Sequence, residues 1–517
     1  MNTKQIIKNI ENGVKKVENS KLPFIYFFFT FLSAVTLRSF LETYSDTPVG
    51  NLHSYTAANL LHYYLWYTGL ALIITIILHL AVRERLEKIA KLVFPAFLVL
   101  IVVPIVDILM SGGKGFDMSY MLPGVHEDLL IRWLTFSGSY VGMGATPGMM
   151  IEVIFVLIGC FTYVYMKKRS VLRGLFFTFL VYSTVFWWGC IPFAIKYFLE
   201  LFSVEYAFTS KVALNFILLL LIVIGSITFY LYNKKYFLEI IKDIRPFRAL
   251  HYELMFVLGV ALACNLFNVS IELNRETLFK WFFAPFVILF AGLFSVFVNN
   301  LADIEIDKIT NKKRPLITRK IRVEDYKKMT TLFFFLATIY SAAINHVTLF
   351  LILLFMGNYF LYSTPPLRLK RIPFFSKLLL SLNSLMLVIL GYYFVTGFTS
   401  LFPVEVTLFF VVGYTAVINF IDLKDYEGDK EAGIKTIPTL LGLRKGKLVI
   451  GSFFPILYVV AILYLKNNLL IPVAAGVGIL QFLLINRRNY DEKLVFIVYL
   501  LSLLFFITYL LTHPLPP

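Results

Sequence analysis

The hydrophobic residues of this chain are gathered into long stretches that are separated by short polar segments. A helix that crosses a bilayer needs about 20 mostly apolar residues, and about 15 stretches of the chain reach that length. They lie near residues 22–41, 57–82, 92–111, 148–166, 172–199, 212–232, 250–270, 279–299, 329–345, 347–363, 375–397, 403–421, 448–465, 469–486 and 493–512. The pattern therefore predicts an all-α integral membrane protein with about 15 transmembrane helices.

The segment that precedes the first stretch has a different pattern. Between Lys4 and Lys21, apolar residues such as Ile6, Ile10 and Val14 recur at helical spacing among lysines. This spacing predicts an amphipathic helix that lies on the membrane surface. No small-residue cleavage site follows the apolar run, so we do not expect a cleavable signal.

Composition excludes the soluble classes of protein. Of the 517 residues, 59% are hydrophobic and only 15% are charged, whereas a soluble chain has about 45–50% apolar and about 25% charged residues. A net charge of +17 would suggest nucleic acid as the partner of a soluble domain. Because membrane proteins concentrate lysine and arginine in cytoplasmic loops, we expect membrane lipid and no nucleic acid as the partner. The three cysteines lie in apolar stretches and predict neither disulfides nor a metal site.

The basic residues also predict an orientation and a division of the chain. Alternate loops are basic, beginning with the N-terminal segment, and the loops between them, such as 42–56 and 112–146, are short or nearly neutral. Because positively charged loops stay in the cytoplasm, this predicts a multi-pass cell-membrane protein with a cytoplasmic N-terminus and an external C-terminus. Six stretches precede the charged linker 233–248 and nine follow it, which predicts two domains, 1–235 and 236–517.

Two of the predicted cytoplasmic loops carry acidic motifs. The first has the form NxxxDxxxD followed by a Lys-Arg-Pro triplet: Asn299, Asp303 and Asp307, then Lys313, Arg314 and Pro315. The second has the form DxxDxxxD followed by a lysine: Asp422, Asp425 and Asp429, then Lys435. These spacings place each acidic set on one face of a helix, at the point where an apolar stretch ends.

Clustered carboxylates repel one another unless a cation joins them. Mg²⁺ suits such a cluster because it takes a few carboxylate oxygens and bridges to phosphate oxygens, while lysine and arginine balance the remaining phosphate charge. A single DxxxD at a helix end is more often a solvated cap, but a second copy on the same membrane side favours function. The two motifs therefore predict a site that binds Mg²⁺ and a diphosphate, and that ionises an allylic diphosphate by stabilising the leaving group.

These motifs, in this order, resemble the signature of the UbiA family of intramembrane prenyltransferases. The resemblance includes the RP after the first motif, the GIKT after the second, and the segment YSTPPLRLK at 362–370, which looks like the family's Tyr…Lys loop. The RPF at 245–247 resembles the start of the family's first helix. The resemblance covers about residues 240–517, where nine predicted spans equal the family's nine helices. Asn300 departs from the family pattern, which most often has Asp at this position.

The resemblance implies a Mg²⁺-dependent prenyltransferase that transfers a polyprenyl group from an isoprenyl diphosphate to a lipophilic acceptor. It implies that the metal is held by Asp303, Asp307, Asp425 and Asp429, and that Arg314 and Lys370 act beside them in catalysis. The side chains implied in substrate binding are Asn299, Lys313, Tyr362, Arg368, Asp422, Lys435 and Arg245. Anchoring at the membrane interface is the alternative role of Tyr362, Lys370 and Arg245, and Glu305 is expected to be solvated. The acceptor stays open among aromatic quinone precursors, chlorophyllide-like molecules and glycerol lipids.

Two alternative interpretations concern the chain as a whole. In a transporter or lipid flippase, the acidic clusters would bind a coupling cation, but such sites usually lie near the bilayer midplane. Alternatively, the six N-terminal helices are a scaffold beside a C-terminal enzyme. Five ionisable residues lie in or near the apolar stretches of this half, where such groups are functional candidates, although they form no recognisable motif: Arg38, His79, Asp107, Glu152 and Lys196.

Overall fold

In a computed structural model, the chain forms helices joined by loops over the described residues, which are 3–45, 57–116, 120–135, 145–372, 374–431 and 433–513. Fourteen of the described helices are long and apolar enough to cross a membrane, and the described residues contain no strand. The prediction of an all-α, multi-pass integral membrane protein is thus confirmed. The predicted loops 42–56 and 112–146 lie partly outside the described residues, and so does the end of the chain at 514–517.

The chain divides into two compact units. The first consists of the residues up to Phe237 together with Leu273–Phe279, and the second consists of Leu238–Glu272 together with the residues from Lys280 onward. The helices that precede residue 234 are α1 (Thr3–Glu18), α2 (Phe24–Ser45), α3 (Ala57–Val82), α4 (Leu86–Met110, with a 3₁₀ segment at Phe97–Ile101), α5 (Leu129–Leu134), α6 (Pro147–Lys168), α7 (Val171–Gly189), α8 (Ile191–Leu201) and α9 (Ser210–Tyr232).

The later helices follow in the same order along the chain. They are α10 (Lys234–Asp243), α11 (Pro246–Phe267), α12 (Arg275–Ala302), α13 (Ile304–Thr310), α14 (Val323–Ile344), α15 (His346–Ser363), α16 (Phe375–Thr396), α17 (Val404–Asp422, with π and 3₁₀ turns), α18 (Tyr426–Glu431), α19 (Ile437–Leu441), α20 (Leu443–Tyr464), α21 (Ile471–Asn486) and α22 (Glu492–Thr512). Of the fourteen described helices that could cross a membrane, six precede α10 and eight follow it.

Two predicted spans differ from the structure. The stretch 172–199 is divided into α7 and α8 at Cys190. Pro192 lies in the first turn of α8, where a missing N–H is tolerated, whereas it would break a helix that continued through it. The stretch 329–345 belongs to α14, which begins earlier at Val323 and carries Glu324 and other charged residues in its first turns. It is therefore not among the fourteen apolar helices.

In the first unit, the N-terminal amphipathic helix is present as α1 and is attached by charged side chains. Glu18 accepts hydrogen bonds from the Tyr163 hydroxyl and the Lys167 ammonium, both at 2.7 Å, and Glu11 pairs with Arg169. These contacts hold α1 against the C-terminal end of α6. A helix over the predicted segment is confirmed, and its position on a membrane surface stays a prediction.

Two of the intramembrane charges of this unit have structural partners. Arg38 pairs with Glu42 one helical turn later at 2.5 Å. Asp107 accepts hydrogen bonds from the Thr146 hydroxyl at 2.6 Å and from the Gly148 N–H at 2.8 Å, so it satisfies donors at the start of α6. These contacts explain why such costly side chains are present without a catalytic motif.

In the second unit, α11 and α16 approach each other so closely that only glycine fits at the crossing. A Cβ on Gly259 would lie 1.9 Å from the Val388 carbonyl oxygen, and a Cβ on Gly391 would lie 1.9 Å from the Phe256 carbonyl oxygen. Small residues allow the backbones of membrane helices to come together in this way. The crossing fixes α16 next to α11, and the first turn of α16 carries Lys377, which pairs with Asp422.

Candidate active site

The first acidic motif lies where one long helix ends and a short one begins. Helix α12 ends at Ala302 and α13 starts at Ile304, with Asp303 at the junction. The helix that carries the first motif is thus interrupted at Asp303. The helical backbone hydrogen bonds nevertheless continue. The Asp303 N–H donates to the Asn299 carbonyl oxygen, and the Asp307 N–H donates to the Asp303 carbonyl oxygen. The three side chains consequently keep their helical spacing across the junction.

Asp303 is held by two cations from the segment 362–370. Its carboxylate accepts a hydrogen bond from Arg368 at 2.6 Å and pairs with Lys370. The Lys370 ammonium also reaches the side-chain oxygen of Asn299 at 3.4 Å. Burial lowers the pKa of Lys370, although Asp303 opposes that shift. The predicted residues Asn299, Asp303, Arg368 and Lys370 are thus brought together.

Asp307 is bound by the arginine that follows the first motif. It pairs with Arg314 and accepts a hydrogen bond from the Asn311 amide at 3.1 Å. Burial raises the pKa of Asp307 in spite of the arginine beside it. The Arg314 guanidinium in contact with the carboxylate favours its ionised form and so opposes the effect of burial.

Asn300, the position that departs from the family pattern, is a fully bonded polar residue. Its side-chain oxygen accepts hydrogen bonds from Arg245 at 2.9 Å and from Arg314 at 2.7 Å. Its amide nitrogen donates to Asp243 at 3.0 Å and to the Tyr326 hydroxyl at 2.8 Å. An aspartate could not make the last two donations, so the neighbouring carboxylate of Asp243 explains why an amide fits here. Asn300 therefore positions both arginines.

Arg245 reaches the site through this contact with Asn300. Burial, together with the positive charges of Arg248 and Arg314, lowers the pKa of Arg245 to about 10. Asp243 is the nearby anion that opposes this shift. Arg245 thus lies at the site beside Arg314, and its role in substrate binding stays a prediction.

The second acidic motif is also divided between short segments. Asp422 ends α17, Asp425 lies in the following turn and Asp429 lies in α18. The single helical face predicted for them was therefore wrong, but backbone hydrogen bonds run from Asp425 to Asp422 and from Asp429 to Asp425. The three carboxylates nevertheless stay within electrostatic reach of one another.

Asp422 forms a buried ion pair that the sequence did not predict. Its Oδ1 lies 2.5 Å from the ammonium of Lys377 in the first turn of α16, and both residues are buried. Its Oδ2 is buried without a hydrogen-bond partner among the described residues. The available signal was a lysine at the start of an otherwise apolar span, which is a functional candidate by default.

The two acidic motifs lie against each other because α13 contacts α18. Burial, with the charges of Asp422 and Asp425, raises the pKa of Asp429 to about 7, while Lys377 and Lys370 oppose the shift. Neither Asp425 nor Asp429 forms an ion pair with another described residue. The second motif therefore holds excess negative charge in a partly buried place.

Several residues that were predicted from the sequence stand apart from this cluster or at its edge. Lys313 and Lys435 are exposed and contact no acidic residue among the described ones. Tyr362 is half-buried, packs edge-on against Tyr359 and lies within electrostatic reach of Asp303 and Asp422. Glu305 was expected to be solvated, and this is confirmed because its side chain is 81% exposed beside Lys308.

A second polar group inside the helical bundle was not predicted at all. His251 on α11 is buried, and its ring nitrogens contact the hydroxyls of Ser384 at 3.0 Å, Tyr414 at 3.2 Å and Tyr499 at 3.0 Å. Tyr414 and Tyr499 also line an apolar cavity of about 670 Å³ within the second unit. The three partners come from distant parts of the chain, so no local spacing could have indicated them.

The comparisons with known proteins concern the half of the chain that contains this site. Residues 255–510 match the UbiA prenyltransferase family. The chain is similar to a probable chloroplastic homogentisate phytyltransferase 2 of Oryza sativa subsp. japonica, with 27% identity over 40% of this chain and 59% of the relative. It is also similar to a digeranylgeranylglyceryl phosphate synthase of Pyrococcus horikoshii, with 27% identity over 35% of this chain and 61% of the relative.

Solved structures are similar over the same half. A UbiA homologue from Archaeoglobus fulgidus bound to GPP and Mg²⁺ shares 20% identity, with a TM-score of 0.42 and coverage of 52% of this chain and 98% of that one. The chain spans about three fifths of the length of the curated relatives named above. The matched region includes both acidic motifs and the segment between them. The C-terminal half of this chain therefore belongs to the UbiA prenyltransferase family.

Proposed function

We propose that this chain transfers a polyprenyl group from an isoprenyl diphosphate to a lipophilic acceptor. The observation that carries the proposal is the contact between α13 and α18, which brings two acidic motifs together with the cations that balance them. Family membership supports the reaction type. The carboxylates follow the ends of α12 and α17, which favours an interfacial enzyme site over the midplane site of a transporter.

The proposed cofactor is Mg²⁺, held by Asp303, Asp307, Asp425 and Asp429. Among the described residues, no three acidic, histidine or cysteine side chains converge into a ready-made metal site, since the aspartates of the first motif are engaged with cations. The second motif does offer free oxygens, because Asp425 and Asp429 have no ion pair and one oxygen of Asp422 has no partner among the described residues. Hard carboxylate oxygens of this kind fit a hard cation.

The remaining residues of the site bind and orient the diphosphate. The aspartates of the first motif form ion pairs with Arg314, Arg368 and Lys370. These cations can instead donate hydrogen bonds to phosphate oxygens, which suit the planar geometry of arginine. The chemistry that the metal supplies when bound is neutralisation of charge on the departing diphosphate. The apolar helices around the site exclude water, which would otherwise capture an allylic cation.

The acceptor and the orientation complete the proposal. The two relatives act, by their names, in homogentisate phytylation and in digeranylgeranylglyceryl phosphate synthesis, so we propose an aromatic ring or a glycerol lipid as the acceptor class. We further propose that the N-terminus and the site lie on the cytoplasmic side of the cell membrane and the C-terminus outside, because alternate loops are basic.

The decisive experiment compares three alanine variants of the full-length protein. We expect Asp303→Ala and Asp429→Ala each to lower turnover by about a hundredfold or more, because leaving-group stabilisation acts in the transition state. Glu305→Ala is the matched control, since Glu305 lies in the same motif but is exposed. Transfer is measured with radiolabelled geranylgeranyl diphosphate and a panel of aromatic and glycerol-lipid acceptors. Equal losses in all three variants would contradict the assigned acidic face.

The transporter interpretation would be favoured instead by two results together. The wild-type protein would transfer no prenyl group to any acceptor, and the same variants would lose ion uptake in proteoliposomes.

A further inference from the structure

The helices that precede the matched region enclose a groove that the transferase site does not use. The groove has a volume of about 400 Å³ and is lined by α3, α4, α6 and one side of α1. Its lining residues on α6 run at helical spacing from Glu152 to Met166, which corresponds to a length of about 21 Å at 1.5 Å per residue. A groove of this length and volume has room for an extended hydrocarbon chain.

The two ends of the groove differ in chemistry. Ile10 and Val14 line it from α1, which is attached near Lys167 and Arg169 at the end of α6. The side chains that α1 contributes to this end are therefore apolar. Glu152, in the first turns of α6, lies at the opposite end.

Among the described residues that line the groove, Glu152 is the only charged one. It forms no ion pair or hydrogen bond with another described residue. Arg38 is within electrostatic reach of it and pairs through Nη1 with Glu42 at 2.5 Å, while its Nε has no hydrogen-bond partner among the described residues. Ionisable side chains inside a membrane normally pair with another group. Glu152 faces an apolar groove and has no such partner among the described residues.

The charge around Glu152 selects the head group of the occupant. An anionic head would be repelled by Glu152 and Glu42 together, since these two carboxylates outnumber the one arginine nearby. A cationic head would have to be desolvated inside the membrane, which is unfavourable. A neutral hydroxyl avoids both penalties and donates the hydrogen bond that Glu152 can accept.

We propose that this groove binds the hydrocarbon chain of a single-chain lipid with a hydroxyl head, and that the hydroxyl donates a hydrogen bond to Glu152. The chain would extend along α6 toward Ile10 and Val14 of the amphipathic helix. This inference does not depend on the proposed transferase activity, because all its residues lie in the first unit. It gives the N-terminal helices a role as a lipid-binding module.

The test uses hexadecanol that carries a photoreactive diazirine, with the full-length protein in detergent. After illumination, mass spectrometry of peptides should place the label on α6 between residues 152 and 166. Unlabelled hexadecanol should compete for this labelling at least about tenfold better than hexadecanoate, because the two differ in head-group charge at the Glu152 end.

Two glycines give a matched pair of variants. A side chain at Gly159 or at Gly225 would enter open space, and only Gly159 lines the groove. We expect Gly159→Phe to reduce labelling of α6 by about tenfold or more and Gly225→Phe to leave it unchanged. For the head group, Glu152→Leu should reduce labelling about tenfold, while Glu152→Gln, which keeps an acceptor oxygen, should retain most of it.

Several outcomes would overturn the proposal. Equal labelling in Gly159→Phe and Gly225→Phe, label spread evenly over all lipid-facing helices, or equal competition by hexadecanoate would each show ordinary contact with bulk lipid. If Gly159→Phe is not obtained as a monodisperse protein, the comparison of Glu152→Leu with Glu152→Gln decides, because these variants change volume little. Equal labelling of those two variants would then refute the assigned head-group contact.

Discussion

The ion pair between Lys377 and Asp422 should be the charge contact on which the stability of the site depends most. The exposures of the two residues are 5% and 7%, and their charged atoms are 2.5 Å apart. With an effective dielectric constant of about 20, Coulomb's law gives an attraction of about 7 kcal/mol at 2.5 Å, most of which offsets the desolvation of the two charges. Removal of one partner leaves the other buried and unpaired, which costs about 3–5 kcal/mol.

We therefore expect Lys377→Met to lower the free energy of unfolding by about 3–5 kcal/mol. Since about 1 kcal/mol shifts the unfolding midpoint of a large domain by about 2–4 °C, the midpoint should fall by at least roughly 6 °C. The assay is thermal unfolding of the full-length protein in detergent. The double variant Lys377→Met with Asp422→Leu should be less destabilised than the sum of the single variants, because it leaves no unpaired charge.

The control is the ion pair of Lys308 with Glu305. Its charged atoms are at a similar distance, 2.7 Å, but the side chains are 55% and 81% exposed. Lys308→Met should therefore change stability by less than about 1 kcal/mol. Equal midpoint shifts in Lys377→Met and Lys308→Met, or strict additivity in the double variant, would refute the argument that burial makes the first pair strong.

Three further outcomes are expected. EDTA should abolish prenyl transfer and added Mg²⁺ should restore it, as measured with labelled diphosphate; full activity in chelator would contradict the proposed cofactor. Gly391→Ala should destabilise the protein by about 1–3 kcal/mol through overpacking, because its Cβ would lie 1.9 Å from the Phe256 carbonyl oxygen, whereas Gly357→Ala, in open space on α15, should be near neutral in the same thermal assay. A fragment of residues 236–517 should keep Mg²⁺-dependent affinity for a prenyl diphosphate analogue in calorimetry, and a monodisperse fragment without it would show that the N-terminal helices contribute to binding.

The sequence predicted the parts of the site that are defined by local spacing. Asp303 and Asp307 follow a helical repeat, and Lys370 belongs to a recognisable segment, so the pattern of residues alone was enough to assign them to one site. The junction at Asp303 could not be predicted, because no glycine or proline marks it. Its backbone departs from a regular helix where Arg368 and Lys370 bind the carboxylate.

Partners from distant segments escaped the sequence analysis. Lys377 lies 45 residues from Asp422, and Asp243 lies 57 residues from Asn300, so neither pair shares a motif. The apolar pattern predicted the number of long helices well because bilayer thickness sets their length. It could not distinguish α7 and α8 from one long helix, since apolarity continues through Cys190 and only Pro192 marks the boundary.

The pairing of Asp303 with Arg368 and Lys370 has a consequence for the order in which ligands bind. The cluster contains six carboxylates and six cationic side chains, so its formal charge is balanced before any ligand arrives: Asp243, Asp303, Asp307, Asp422, Asp425 and Asp429 against Arg245, Arg248, Arg314, Arg368, Lys370 and Lys377. A diphosphate that binds without metal would attract the cationic side chains and leave carboxylates unpaired. A metal ion that binds without diphosphate would attract the carboxylates and leave cationic side chains unpaired. Each ligand thus needs the other to replace the counter-ions that it displaces, and we expect the two to bind with strong positive cooperativity.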